Sequence, residues 1–157
     1  MKRKIQDLSP QEVLALAISI EETNQKALLN YANQFKSYDK EVSDNFMELS
    51  IEECYHKELL LAQYEKSFES PFPEISPSDM EEIVEALDIE GTEDMVIDTM
   101  KSNRVFRLAY EAEVRAGHFY QNAMNSAKDP ELAALFKKLS LMEGDHAGWL
   151  EDKIDKK

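Results

Sequence analysis

Glycine and proline are scarce in this sequence, four and five residues in 157. Long stretches without either favour helices over a turn-rich β fold. The good helix formers Leu, Ala, Glu, Lys, Met and Gln are correspondingly abundant. Cysteine occurs once, at Cys54. That excludes an internal disulfide and fits a reducing compartment such as the cytoplasm. Cys54 itself reads as a small helix residue rather than a nucleophile. No apolar run is long enough to span a membrane. Positive charge is short too: 18 Lys and Arg stand against 32 Asp and Glu, a net charge of −14. Nucleic acid and anionic lipid need a basic surface, so neither is an expected partner. Most of the acid reads as solvated surface, with part of it available as ligands for cations.

The residues that are present predict a folded chain, with 43% hydrophobic and 32% charged. The length suits a single domain over residues 1–157 with its own core. The opening "MKRK", followed by "VLALAISI", has the outline of a signal peptide, with small residues at Ala15 and Ala17. Asp7, Pro10 and Glu12 interrupt it, and cleavage there would remove half of an amphipathic helix, so the segment reads as structure.

Helix boundaries are marked by local chemistry. Ser9 as N-cap, Pro10 at the first helical position and Glu12 closing a capping box start a helix that runs to about Lys36. A second helix is predicted from about Lys40 to Ser67, stopped by the three prolines of "SPFPEISP". Residues 70–102 form a connection, with a short helix expected in "SDMEEIVEAL" and another in "TEDMVIDTM". A third helix is predicted from about Asn103 to Ser126. Asp129-Pro130-Glu131 then opens a fourth, running to about Asp155. Two antiparallel helical hairpins joined by a long crossover make an all-α four-helix bundle.

The chain has three histidines, and two of them follow a glutamate by three places: Glu53 with His56 in "EECYHKELL", and Glu143 with His146 in "MEGDHAGWL". Helical residues three, four and seven apart share a face. The stripe Phe46, Leu49, Glu53, His56, Leu60 is otherwise apolar, as is Leu132, Leu135, Leu139, Glu143, His146, Leu150. An unpaired glutamate is costly to bury, so these pairs need partners from the other two helices. In the first helix Glu21 lies on the apolar stripe Leu14, Ala17, Leu28, Tyr31, Phe35, whereas Glu22 lies on a polar one. In the third, Glu113 shares its stripe with Phe106, Ala109, Ala116 and Tyr120, whereas Glu111 shares its own with Arg104, Arg107, Arg115 and His118. Glu21 and Glu113 are therefore expected inside, and His118 on the surface.

A two-fold pattern results. Glu21 precedes Glu53 by 53 − 21 = 32 positions, and Glu113 precedes Glu143 by 143 − 113 = 30. Each half is an inward Glu, a turn, then Glu-x-x-His, and "AISIEETNQKAL" and "AYEAEVRAGHFY" read as a weak internal repeat. Four carboxylates and two imidazoles balance two divalent cations, and this donor mixture suits iron or manganese.

The stretches "AISIEE", "ELSIEECYH", "AYEAEVRAGHFY" and "LSLMEGDH" resemble the ferritin-like superfamily, closest to the rubrerythrin group, over about residues 12–150 apart from the crossover. The resemblance implies two iron ions, one on Glu21 and His56, the other on Glu113 and His146, with Glu53 and Glu143 bridging. It implies reduction of hydrogen peroxide, oxidation of ferrous iron or activation of dioxygen. Two departures stand out. One cysteine cannot build the four-cysteine rubredoxin centre of typical rubrerythrins, so electrons are expected from a separate, rubredoxin-type donor or from ferrous iron. Typical members also carry a further Glu three residues from the third-helix ligand, where this chain has Tyr110 and Ala116. The resemblance further implies a homodimer rather than a storage cage, whose extra helix has no room in the 157 − 146 = 11 residues after His146.

The leading expectation is therefore a peroxide-reducing di-iron protein, with Tyr110, Tyr120 and Asn24 as candidate donors around the ligands and plain core packing as an equal reading for the two tyrosines. The rivals are a ferroxidase or iron-binding protein, a non-catalytic or zinc-filled bundle, and a dioxygen-dependent oxidase of an organic substrate.

Overall fold

The computed structural model describes residues 4–69, 71–73 and 99–155. Four long helices carry the architecture: α1 over Pro10–Phe35, α2 over Lys40–Ser67, α3 over Thr99–Ser126 and α4 over Pro130–Asp155. A single 3-10 turn, Ile5–Asp7, precedes them, and no strand occurs among the described residues. The two short helices expected in the connection fall in segments that lie mostly outside the described residues. One difference is clear at their border: α3 begins at Thr99, about a turn earlier than the sequence pattern predicts. Thr99 to Ser102 contain neither Pro nor Gly, so nothing stops the helix from extending back.

The helix ends follow the predicted chemistry. Ser9 Oγ accepts from the backbone of Glu12 at 3.1 Å, and Glu12 Oε1 accepts from the backbone of Ser9 at 3.0 Å. Asp39 Oδ1 accepts from the backbone of Val42 at 3.2 Å, which caps α2. Asp129 Oδ1 accepts from the backbone of Glu131 at 2.9 Å at the start of α4. Capping contacts of this kind typically contribute about 1 kcal/mol each.

α1 packs along α2, and α3 along α4; thinner seams join α1 to α3 and α2 to α4. The first pair is tied by Ser43 Oγ donating to Ala32 O at 2.7 Å and by Lys57 to Glu22 at 2.6 Å. Lys66 pairs with Glu131 across the α2–α4 seam.

The apolar core is split in two. One cluster takes Leu14 and Leu16 from α1, Leu60 and Tyr64 from α2, Phe119 and Tyr120 from α3, and Phe136 and Leu139 from α4. The other takes Leu28 and Phe35 from α1, Phe46 and Leu49 from α2, Val105 and Phe106 from α3, and Leu150 from α4. Phe46 stacks on Phe106 at a centroid separation of 5.2 Å and on Phe35 at 6.1 Å. Burial of each such side chain contributes roughly 1.5–3 kcal/mol. Between the clusters, at mid-height on every helix, the inward positions turn polar. That layer holds the candidate site.

Candidate metal centre

Each helix delivers its polar residues because they occupy the same stripe as its apolar ones. α1 contributes Glu21, α2 Glu53 and His56, α3 Glu113, and α4 Glu143 and His146. Glu21, Glu53, His56 and Glu143 are 0% exposed, Glu113 2% and His146 9%. The structure thus brings all six predicted residues into one layer. The residues predicted to face out do so: Glu111 and His118 are exposed, and Glu22 meets Lys57 on the α1–α2 surface.

The geometry is reciprocal. His56 Nδ1 lies 2.7 Å from Glu143 Oε1, 3.6 Å from Glu21 Oε2 and 3.7 Å from Glu53 Oε1. His146 Nδ1 lies 3.0 Å from Glu53 Oε1 and 3.4 Å from Glu113 Oε2. The two imidazoles stack, with centroids 5.4 Å apart and planes 11° from parallel. Two overlapping groups of four emerge: Glu21, Glu53, His56 and Glu143, and Glu53, Glu113, Glu143 and His146. Within each group one ligand atom from every residue lies within 4.8 Å of the others. Glu53 and Glu143 belong to both.

Close approach here is not hydrogen bonding. Both oxygens of Glu53 and of Glu143, Oε2 of Glu21 and of Glu113, and Nδ1 of His56 and of His146 are buried with no hydrogen-bond partner among the described residues. Uncompensated carboxylates in a low dielectric cost several kcal/mol each, so a layer of four requires protons or cations. The metal-free electrostatics register this. Burial, with Glu113 and Glu21 as charged neighbours, holds Glu53 well above the usual carboxylate range. Burial and the same two neighbours do likewise to Glu143. Burial also pushes Glu21 up, but the close approach of Glu53 and His56, the His56 charge and a hydrogen bond from Tyr120 outweigh it and leave Glu21 lowered. Burial lowers His146, yet Glu113 and Glu52 outweigh it and leave that imidazole raised.

Orphaned carboxylate oxygens and imidazole nitrogens that converge in two shared quartets fit a pair of divalent cations. Oxygen and imidazole donors with no thiolate among them suit iron or manganese.

Of the three candidate surrounding donors, Tyr120 reaches the site. Its hydroxyl donates to Glu21 Oε1 at 2.5 Å. Burial and the charges of Glu21 and Glu143 push its phenol well above the usual range, so it stays protonated and donating. Asn24 is buried one turn from Glu21 on α1, with neither side-chain atom hydrogen-bonded among the described residues. Tyr110 packs against the Phe46 cluster instead. Sequence reasoning missed Glu52, whose Oε2 lies 2.7 Å from His146 Nε2. A signal existed: Glu52 precedes Glu53 by one residue, so it sits about 100° round the helix, on the flank that turns toward α4.

The rubrerythrin family profile matches residues 12–152. The chain belongs to the rubrerythrin family, within the ferritin-like fold. It is similar in structure to a hypothetical protein from Pyrococcus furiosus, with a TM-score of 0.73 and 22% identity over 95% of this chain and 90% of that one. It is also similar to an uncharacterized conserved protein from Magnetospirillum magnetotacticum, with a TM-score of 0.77 and 19% identity over 95% of both chains. At these identities the likeness extends to the fold alone. No curated protein matches the chain significantly. No helix among the described residues is long and apolar enough to cross a membrane.

Proposed function

We propose that the chain is a di-iron carboxylate redox protein that reduces hydrogen peroxide with electrons from a separate donor. The observation that carries the reading is the pair of overlapping buried quartets sharing Glu53 and Glu143. In this reading Glu21 and His56 would hold one ion and Glu113 and His146 the other, with Glu53 and Glu143, common to both quartets, available to each. Bound iron supplies the redox chemistry, two one-electron oxidations of Fe(II) matching the two electrons that, with two protons, convert peroxide to water.

The chain's own residues do the rest. Four carboxylates balance the charge of two divalent ions. The apolar clusters above and below the layer exclude bulk water and leave a low dielectric. Tyr120 fixes Glu21 by hydrogen bonding to one oxygen, which leaves Oε2 to face the layer. The external donor is needed because a single cysteine cannot hold a rubredoxin-type iron centre in this chain.

A second reading is oxidation of ferrous iron as substrate. It is favoured by the positions flanking Glu113, where Tyr110 and Ala116 offer no further carboxylate, so that six ligands remain. One experiment separates the two. The metal-free chain is loaded anaerobically with two equivalents of Fe(II) and mixed with peroxide or with air-saturated buffer, and ferric absorbance is followed by stopped flow. Much faster oxidation by peroxide, with iron retained, supports the peroxidase. Comparable or faster oxidation by dioxygen, with iron then released, supports the ferroxidase.

A further inference from the structure

We propose that Glu52 is a positioning residue for His146, and that it makes the Glu113–His146 position the tighter of the two metal positions. The inference rests on the two-metal reading above and goes beyond it by making the two halves of the site unequal.

The sequence pattern is two-fold, but the surroundings of the two histidines are not. His146 presents Nδ1 to the buried layer, 3.0 Å from Glu53 Oε1, and Nε2 to Glu52 Oε2 at 2.7 Å. A carboxylate at that distance accepts the Nε2 proton, which leaves the Nδ1 lone pair aimed inward and makes the ring a stronger donor. His56 presents Nδ1 inward in the same way, but its Nε2 is buried with no hydrogen-bond partner among the described residues. Among the described residues no carboxylate backs that ring at Nε2. The carboxylate beside it is also the weaker donor, because Glu21 shares Oε1 with the Tyr120 hydroxyl.

Access reinforces the difference. Of the six residues His146 is the most exposed, at 9%, and the Glu52 side chain beyond it is 57% exposed. Glu52 thus stands where the buried layer comes nearest to solvent, in contact with the ligand an arriving cation meets first. The alternative is that Glu52 makes an ordinary surface ion pair, which contributes little. In that case Glu52 matters no more than any exposed acid of the same helix, such as Glu48.

The test measures Mn(II) and Co(II) binding to the metal-free full chain by equilibrium dialysis and calorimetry, with the Co(II) d–d bands as a spectroscopic readout. Circular dichroism verifies that each variant is folded. The unmutated chain should bind two ions in two resolved steps. Glu52→Ala should weaken the tighter step by about 10–100-fold, the usual effect of removing the partner of a metal-bound histidine. Glu52→Gln, which keeps an acceptor for Nε2, should recover part of that loss, and Glu48→Ala should leave both steps unchanged. The effect of Glu52→Ala should persist in a His56→Ala background and vanish in a His146→Ala background. Equal effects of Glu52→Ala and Glu48→Ala, or a loss that survives in His146→Ala, would overturn the inference while leaving the two-metal reading intact. Absence of binding to the unmutated chain would overturn both.

Discussion

Nδ1 of His56 lies 2.7 Å from Oε1 of Glu143, so a histidine of α2 reaches the carboxylate that precedes the histidine of α4. The mirrored contact, His146 Nδ1 to Glu53 Oε1, measures 3.0 Å. Each Glu-x-x-His unit is thus completed by the other, across the thin seam between α2 and α4. The layer of donors, rather than broad apolar packing, is what these two helices share at mid-height.

This crossing makes the two kinds of carboxylate distinguishable. Glu53 and Glu143 occur in both quartets, while Glu21 and Glu113 occur in one each. Glu53→Ala or Glu143→Ala should therefore abolish binding of both ions, and Glu21→Ala or Glu113→Ala should leave about one ion per chain. Metal content after dialysis against Mn(II), measured by plasma mass spectrometry, checks this. Equal losses in all four variants would argue against shared carboxylates.

Much of this was legible before any coordinates. The apolar stripes assign Glu21 inside and Glu22 outside because a one-residue step turns the side chain through about 100°. In the structure Glu21 is fully buried, and Glu22 pairs with Lys57. The same step hid Glu52. Its helical position is polar and its side chain half-exposed, and a stripe analysis reads such residues as solvated. Only the path of α4 past α2 gives Glu52 its partner, and that depends on tertiary packing rather than on periodicity. Tyr120 was ambiguous for a related reason. Its stripe is apolar, so periodicity places the ring, while the direction of the hydroxyl depends on α3 lying against α1.

Cations should stabilise the fold, because they would neutralise carboxylates that have no other partner. Saturation at 100 times the dissociation constant contributes about 2.7 kcal/mol. For a chain of this size each kcal/mol moves Tm by roughly 2–4 °C, so a rise of roughly 5–10 °C is expected for each ion bound. Differential scanning calorimetry with Mn(II), or anaerobically with Fe(II), measures it. Glu53→Ala and His146→Ala should shrink the gain. An unchanged melting curve under saturating metal would count against a metal layer.

The metal-free chain should respond to pH in a definite direction. Glu53 and Glu143 are raised by burial and by neighbouring carboxylates, so folding favours their protonated forms. That stabilisation is complete below the unfolded carboxylate value of about 4.3 and is lost as pH rises through the raised folded values. For His146, burial is outweighed by Glu113 and Glu52, and the imidazole is raised. Its contribution is present below the unfolded value of about 6.5 and likewise lost at higher pH. Glu21 is lowered and works the opposite way, with a contribution lost only as pH falls through its folded value. The metal-free Tm should therefore fall as pH rises above the unfolded carboxylate value, and the gap to the Mn(II)-loaded chain should widen over the same range. Parallel melting curves across that range would contradict the electrostatic reading of the layer.

The last prediction concerns Tyr120, whose ring and hydroxyl play separable parts. The ring packs against Phe119 at a centroid separation of 5.4 Å and Phe136 at 6.2 Å, and Tyr120→Phe retains both contacts. The hydroxyl donates to Glu21 Oε1, and its removal leaves a second buried oxygen of Glu21 without a partner. A hydrogen bond to a charged group typically contributes about 1.5–3 kcal/mol, so Tyr120→Phe should destabilise the metal-free chain by about that much in urea. Glu21→Gln carries no full charge for the hydroxyl to satisfy, so the two substitutions should be non-additive, with a coupling of about 1–2 kcal/mol in the double-mutant cycle. Strict additivity would reduce Tyr120 to a packing residue. Coupling would identify the hydroxyl as the group that turns Glu21 Oε2, rather than Oε1, toward the shared layer.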